Sequence, residues 1–200
     1  MLRTLATSLL ALLPLLAYAG DLEQRFPADA LQPILQRLQQ NEHPRFAVVD
    51  YSLRSDQKRF LLYDSRNHAL LASYRVAHGK GSDADHDGYA ERFSNEPESR
   101  ASSLGTYRTG EVYQSRQPGH GLSMRLTGLD PSNDKAMERA IVIHAMDYME
   151  DRFIRQHGVA GRSFGCLVLA AADRDQAIEA LQGGALIFAI KPPPAPSGTL

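Results

Sequence analysis

The sequence predicts a mainly β fold with a few helices, of the α+β class. Three observations lead there. Short runs rich in Val, Ile, Leu, Phe and Tyr recur from Phe46 to Ile190, and polar or glycine-bearing turns separate them. Only a few segments carry helical periodicity or helix-start signals. The chain has 200 residues, shows no internal repeat, and is long enough for one domain with its own core.

The first element is a targeting signal. Met1-Leu2-Arg3 is basic, Leu5 to Leu16 is apolar, and Ala17-Tyr18-Ala19 has the A-x-A form of a cleavage site. Residues 1–19 are therefore expected to be a signal peptide, which places the remainder in the periplasm. Charges interrupt every later apolar run, so stable membrane insertion is not expected after cleavage. Residues 20–45 are expected to form an N-terminal helical segment. Leu31, Ile34, Leu35 and Leu38 fall on one stripe of a helix over 28–40, with Asp29 as cap and Pro33 in the first turn.

Residues 46–190 form the expected main domain. Strands are predicted over 46–53, 59–63 and 69–77, with spacings that suggest antiparallel neighbours. Residues 79–103 are a long polar connection, a length usually reserved for function. Shorter strand-like pieces follow at 106–108, 112–113 and 122–126, and Ala140 to His144 reads as a buried strand. Asp147-x-x-Glu150 and Asp173-x-x-Gln176 resemble capping boxes that open two helices. The second helix should stop at Gly183-Gly184, ahead of a last strand over 185–190. The proline-rich residues 191–200 are expected to be a disordered tail.

Lys and Arg number 22 against 23 Asp and Glu, a formal net charge of −1. No basic stripe or Lys/Arg run is present, so a nucleic-acid partner is not expected. Cys166 is the only cysteine, so the chain has no internal disulfide framework. An idle exposed thiol would be a liability in an oxidising compartment. His144 lies upstream, after a β-branched run. One thiol with a histidine elsewhere is the pattern of a cysteine nucleophile and its base. The backbone N–H of Cys166, with that of Gly165, is a candidate oxyanion donor. Arg162 and Ser163 would offer a cation and a hydroxyl to a carboxylate-bearing substrate. An activated Cys166 would react fast with thiol reagents at neutral pH. The competing reading makes Cys166 a small buried hydrophobe and His144 a satisfied core histidine.

Ile143-His144-Ala145 followed by Ser163-Phe164-Gly165-Cys166 resembles the His…Ser/Thr-His-Gly-Cys signature of L,D-transpeptidase (YkuD-type) catalytic domains. Ser94-Asn95, Ser102-Ser103-Leu104-Gly105, the run from Arg139 to His144 and the run from Gly161 to Cys166 match the divergent murein branch in order. The resemblance implies the L,D-transpeptidase catalytic fold, peptidoglycan stem peptides as substrate, Cys166 as nucleophile and His144 as base. It implies acyl transfer through a thioester without a cofactor. Ser163 and Gly165 carry over as active-site loop residues. Phe164 stands where the common signature has its second histidine, and Val168 where an arginine usually follows the cysteine. Transpeptidation, L,D-carboxypeptidase action and hydrolysis share this intermediate. A non-catalytic peptidoglycan-binding protein is the alternative of another class. A papain-like hydrolase would need its cysteine before its histidine, the reverse of the order here.

Two further features bear on chemistry. Asp83-x-Asp85-x-Asp87-Gly88 opens like an EF-hand calcium loop, but its twelfth position is Ser94 rather than Glu. The expectation is a solvated acidic loop and no metal site. Ser102 and Ser103 lack a paired lysine or a nucleophile elbow. They are expected to contact substrate or shape its loop.

Overall fold

The computed structural model describes residues 20–193, so the expected signal peptide and residues 194–200 lie outside the described residues. The strands are β1 (Arg45–Asp50), β2 (Phe60–Asp64), β3 (Leu70–Tyr74), β4 (Gly105–Gln114), β5 (Leu122–Gly128), β6 (Val142–Ala145), β7 (Leu167–Leu169) and β8 (Leu186–Ile190). The helices are α1 (Asp21–Arg25), α2 (Ala28–Leu38), α3 (Asp151–His157) and α4 (Ala171–Leu181). This is the mainly β, α+β architecture that the sequence predicts.

All eight strands join one sheet in the order β3-β2-β1-β8-β4-β5-β6-β7. The first three pair antiparallel, as their spacing suggests. β8 returns from the chain end to lie parallel to β1, and β7 lies parallel to β6. The pieces at 106–108 and 112–113 are one strand whose register shifts between Thr109 and Val112. That bulge is why the sequence pattern breaks there. β7 has three residues, too few to declare itself by periodicity.

The two faces of the sheet carry separate cores. Ala47 and Val49 of β1 face the layer built with Ala177, Ile178 and Leu181 of α4. Phe46 and Val48 point the other way, onto Leu22, Phe26, Leu31 and Ile34 from α1 and α2. Burial on both faces explains why the central strands read as unbroken apolar runs rather than alternating ones. No helix among the described residues is long and apolar enough to cross a membrane.

The helix starts differ from the sequence reading. α2 begins after Pro27, without a side-chain cap, and Pro33 sits in its second turn. Neither capping box forms. Asp147 opens a short 3-10 turn, and α3 starts at Asp151. Glu150 instead accepts the Ala171 N–H through Oε1 at 2.9 Å. It therefore satisfies the first amide of α4, which begins two residues before Asp173. The predicted stop holds: Gly183 and Gly184 take φ of 99° and 98°.

The long connection after β3 is tied down by a buried polar chain. Arg59, fully buried, donates to Val76 O through Nε (3.0 Å) and Nη2 (2.9 Å), and to Leu53 O (2.8 Å). Its Nη2 also donates to His78 Nδ1 at 2.8 Å. His78 Nε2–H therefore donates to Asp83 Oδ2, also at 2.8 Å. Burial lowers the Arg59 pKa to about 10, which still leaves it charged at neutral pH. Burial and the adjacent Arg59 lower His78 to about 4, so its ring is neutral.

Arg59→Ala should cost about 3 kcal/mol or more, because three carbonyl contacts and one imidazole contact lose their donor in a dry site. The exposed Arg125–Glu111 pair, at 3.0 Å, is the control: Arg125→Ala should cost under ~1 kcal/mol. Urea unfolding of both variants checks this. Equal costs would remove the special status of Arg59.

Candidate active site

β6 and β7 lie side by side, with His144 opposite Val168. Side chains alternate across a strand, so His144, Val168 and Cys166 share one face. His144 and Cys166 open into the same cavity of about 490 Å³. The structure thus brings the two predicted residues together.

His144 is nearly fully buried, and its Nδ1 lies 2.9 Å from Ala145 O. A carbonyl only accepts, so Nδ1 carries the proton and Nε2 keeps the lone pair of a base. Burial lowers the His144 pKa to about 4, and its neighbours His120 and Arg174 push the same way. The ring stacks on His120 with centroids 3.7 Å apart and planes at 18°. His120 lies between Gly119 and Gly121, both at positive φ. Its carbonyl accepts from Ala145 N–H at 3.2 Å and from the buried guanidinium of Arg174 on α4. A second helix therefore holds the surface on which His144 rests.

Cys166 is half-buried. Its Sγ donates to Ala140 O at 3.6 Å rather than to His144. Ala140 has φ of 52°, an uncommon left-handed setting for a residue with a side chain. This turn aims its carbonyl at the sulfur and delays the start of β6 to Val142. Burial pushes the thiol pKa up, while the Val142 N–H and the charge of Arg139 pull against that. Thiol and imidazole are thus both neutral at rest. Both shifts run against the expected fast thiol at neutral pH, and thiol labelling tests which holds.

Ser163 and Gly165 shape the loop. Ser163 Oγ donates to Cys166 O at 2.9 Å and accepts Gly165 N–H at 3.0 Å. The Gly165 amide is therefore already taken, which leaves the Cys166 N–H as the candidate oxyanion donor. Gly165 has φ of 117°, and a Cβ there would meet Ala101 O at 2.8 Å. Ser163 N–H donates to His78 O, and Lys80 N–H to Ser163 O, both at 2.8 Å. The buried polar chain described above therefore reaches the loop that carries Cys166 directly.

Arg162 lines the cavity, and its Nη1 donates to Asp83 O. Phe164 is exposed at the cavity mouth, with Arg100 4.9 Å and Lys80 5.6 Å from its ring centre. Of the two roles expected for Ser102 and Ser103, the structure shows loop shaping, and neither residue lines this cavity. Ser102 Oγ accepts Gly79 N–H at 3.1 Å, and Ser103 Oγ donates to Ser94 O at 2.9 Å. Both are buried braces of the 94–103 loop. Arg139 clamps the same loop through Ser94 O (2.8 Å), Ser103 Oγ (2.6 Å) and Ala101 O (2.6 Å).

Sequence reasoning placed Arg139 only within the run to His144, and it missed His120, Arg174, Lys80 and Arg100. Only His120 left a local signal, the Gly119-His120-Gly121 triplet. Cys166 was the one thiol available, but the partners of its loop arrive from segments far apart in the chain.

No curated protein matches this chain. Among solved structures, an L,D-transpeptidase from Mycobacterium smegmatis is 14% identical, over 74% of this chain and 58% of its own, with a TM-score of 0.43. The helical cell shape determining protein of Campylobacter jejuni is 12% identical, over 80% of this chain and 54% of its own, with a TM-score of 0.46. An L,D-transpeptidase from Stackebrandtia nassauensis is 13% identical, over 77% and 58%, with a TM-score of 0.43. This chain spans less than two thirds of each of those proteins. The family that matches, over residues 22–190, is the L,D-transpeptidase catalytic domain, and the chain belongs to it.

Proposed function

We propose that this chain is a periplasmic cysteine acyltransferase that acts on diaminopimelate stem peptides of peptidoglycan. One observation carries the reading. Cys166 and His144 face a single cavity, and the imidazole is held in the tautomer that leaves Nε2 free to take a proton.

The steps follow from that geometry. Sγ attacks the carbonyl carbon at the L-centre of the stem-peptide bond while its proton moves to His144 Nε2. The Cys166 N–H faces the developing oxyanion. The C–N bond breaks, the proton passes from Nε2 to the departing D-alanine amine, and a thioester is left on Cys166. An acceptor amine from a neighbouring stem then attacks the thioester. Its proton returns through His144 to the sulfur, and the enzyme is restored. Water as acceptor gives carboxypeptidase action or hydrolysis by the same route. Lys80, Arg100 and Arg162 surround the mouth and suit a substrate that carries free carboxylates.

Cys166→Ala and His144→Ala should each lower turnover by at least ~10³-fold, and the double variant should be no worse, because the two side chains act as one unit. Mass spectrometry of muropeptides incubated with purified protein reads this. New 3–3 dimers indicate transpeptidation, and loss of terminal D-alanine alone indicates carboxypeptidase action. Profiles identical to those of Cys166→Ala, with peptidoglycan still bound, would favour the binding-protein alternative.

The resting neutral pair has its own signature. The Cys166 pKa is raised and that of His144 is about 4, so the proton stays on sulfur at pH 7. Iodoacetamide labelling of the free enzyme should be slow there and climb only above the ordinary thiol range of about 8.5. Turnover should fall on the acid side only near pH 4, where His144 takes up a proton and stops being a base. A fast labelling plateau between pH 5 and 8, near ~100% thiolate, would show an ion pair and overturn the neutral resting state.

A further inference from the structure

We propose that the loop beginning at Asp83 holds a calcium ion, and that the ion braces the segment leading to Cys166. Asp83, Asp85 and Asp87 each offer a carboxylate oxygen, and the three lie within 4.8 Å of one another. A cluster of exposed acids would mean little alone. Asp83, however, is fully buried. Its Oδ2 accepts from His78 Nε2 at 2.8 Å and from Gly88 N–H at 3.2 Å. Its Oδ1 is buried with no hydrogen-bond partner among the described residues. An ionised oxygen left unpaired in a dry site is costly, and a cation among the three carboxylates supplies the missing partner.

The spacing fits. In calcium loops the first, third and fifth residues give side-chain oxygens, the sixth is a glycine at a sharp turn, and the seventh gives its carbonyl. Here these are Asp83, Asp85, Asp87, Gly88 at φ of 96°, and Tyr89. The donors are all oxygen, which selects a hard cation over zinc. His86, inside the loop, has its Nε2 turned to Ala160 O at 3.1 Å. Ser94 at the twelfth position withholds the usual bidentate carboxylate, and that absence is what pointed the sequence reading away from calcium. Arg59 also offsets part of the Asp83 charge. Both features place the affinity in the weak range of extracellular modules, about 10⁻⁴–10⁻³ M.

The loop leans on the approach to the cavity. Asp83 O accepts from Arg162, His86 reaches Ala160, and Gly88 is so close to Val159 that a Cβ would come within 2.9 Å of it. Residues 159–162 lead into Ser163 and Cys166. The site stands independently of the acyltransferase reading, and only its relevance to catalysis rests on that reading.

The test is calorimetric titration of chelator-treated protein with calcium chloride, paired with thermal unfolding. Wild type should bind one ion per chain, and its midpoint should rise by roughly 5 °C at saturation. Asp85→Asn, at an exposed position, should bind at least tenfold more weakly and lose that shift. Without calcium its midpoint should equal that of chelated wild type, which separates lost binding from lost folding. Calcium should also slow amide exchange over residues 159–163 in wild type. No heat and no shift at about 10 mM calcium, or an equal shift in Asp85→Asn, overturns the site. Binding without added protection at 159–163 overturns the bracing.

Discussion

A buried charge, the guanidinium of Arg59, constrains the chain that seats the loop carrying the thiol. A cation out of water must spend its donors on fixed acceptors, and here these are two carbonyls and the Nδ1 of His78. That choice fixes the His78 tautomer and turns its other nitrogen to Asp83. The backbone carbonyl of the same histidine takes the Ser163 N–H. One desolvated group thus determines the path of the chain leaving β3 and the seat of the loop that carries Cys166. Such networks tend to specify a conformation rather than add net stability, since an apolar replacement can be equally stable. Specification is what the proposed site needs, because Cys166, just ahead of β7, and His144, on β6, come from different segments.

The orientation of His144 by a carbonyl has chemical consequences. A carboxylate at Nδ1 would stabilise an imidazolium and draw the proton off sulfur before substrate arrives. A neutral carbonyl orients the ring without offering that charge, and burial against His120 disfavours the cation further. Under the proposed mechanism, the proton then leaves sulfur only as the new bond forms. In the periplasm proposed above, this arrangement would also protect the single thiol, because oxidants attack the thiolate first.

Strands were legible in the sequence because burial on both faces writes itself as apolar runs. β4 was read as two pieces because its bulge interrupts the pattern, and β7 was too short to read. Helix starts were misread for a definite reason. Glu150 fits a capping box in sequence, but α4 lies close enough in space to claim its carboxylate for Ala171. Cys166 and His144 stood out because few residue types suit a thiol nucleophile and its base, and the structure brings the two to one cavity. Arg174, which holds the carbonyl of His120 from 54 positions away, left no local trace. For Ser102 and Ser103 the sequence left loop shaping and substrate contact both open, because polar residues in a long loop look like surface; here the loop folds inward and their hydroxyls satisfy buried backbone.

The departures from the common signature fall where the loop can accept them. Ser163 is tied to His78, Lys80, Gly165 and Cys166, and Gly165 is pinned against Ala101. The side chain between them is released outward, and Phe164 is more than half exposed. Exchanging a histidine for a phenylalanine there alters what meets the substrate without disturbing the turn that sets the thiol. Phe164 also gathers Lys80 and Arg100 against its ring, so the mouth keeps positive charge without the signature's own histidine and arginine. Val168, in turn, packs with Ala77, Met149 and Ala160 beneath the cavity. An arginine at that position would have to bury its charge in an apolar cluster, so in this chain the cation has to come from the rim instead.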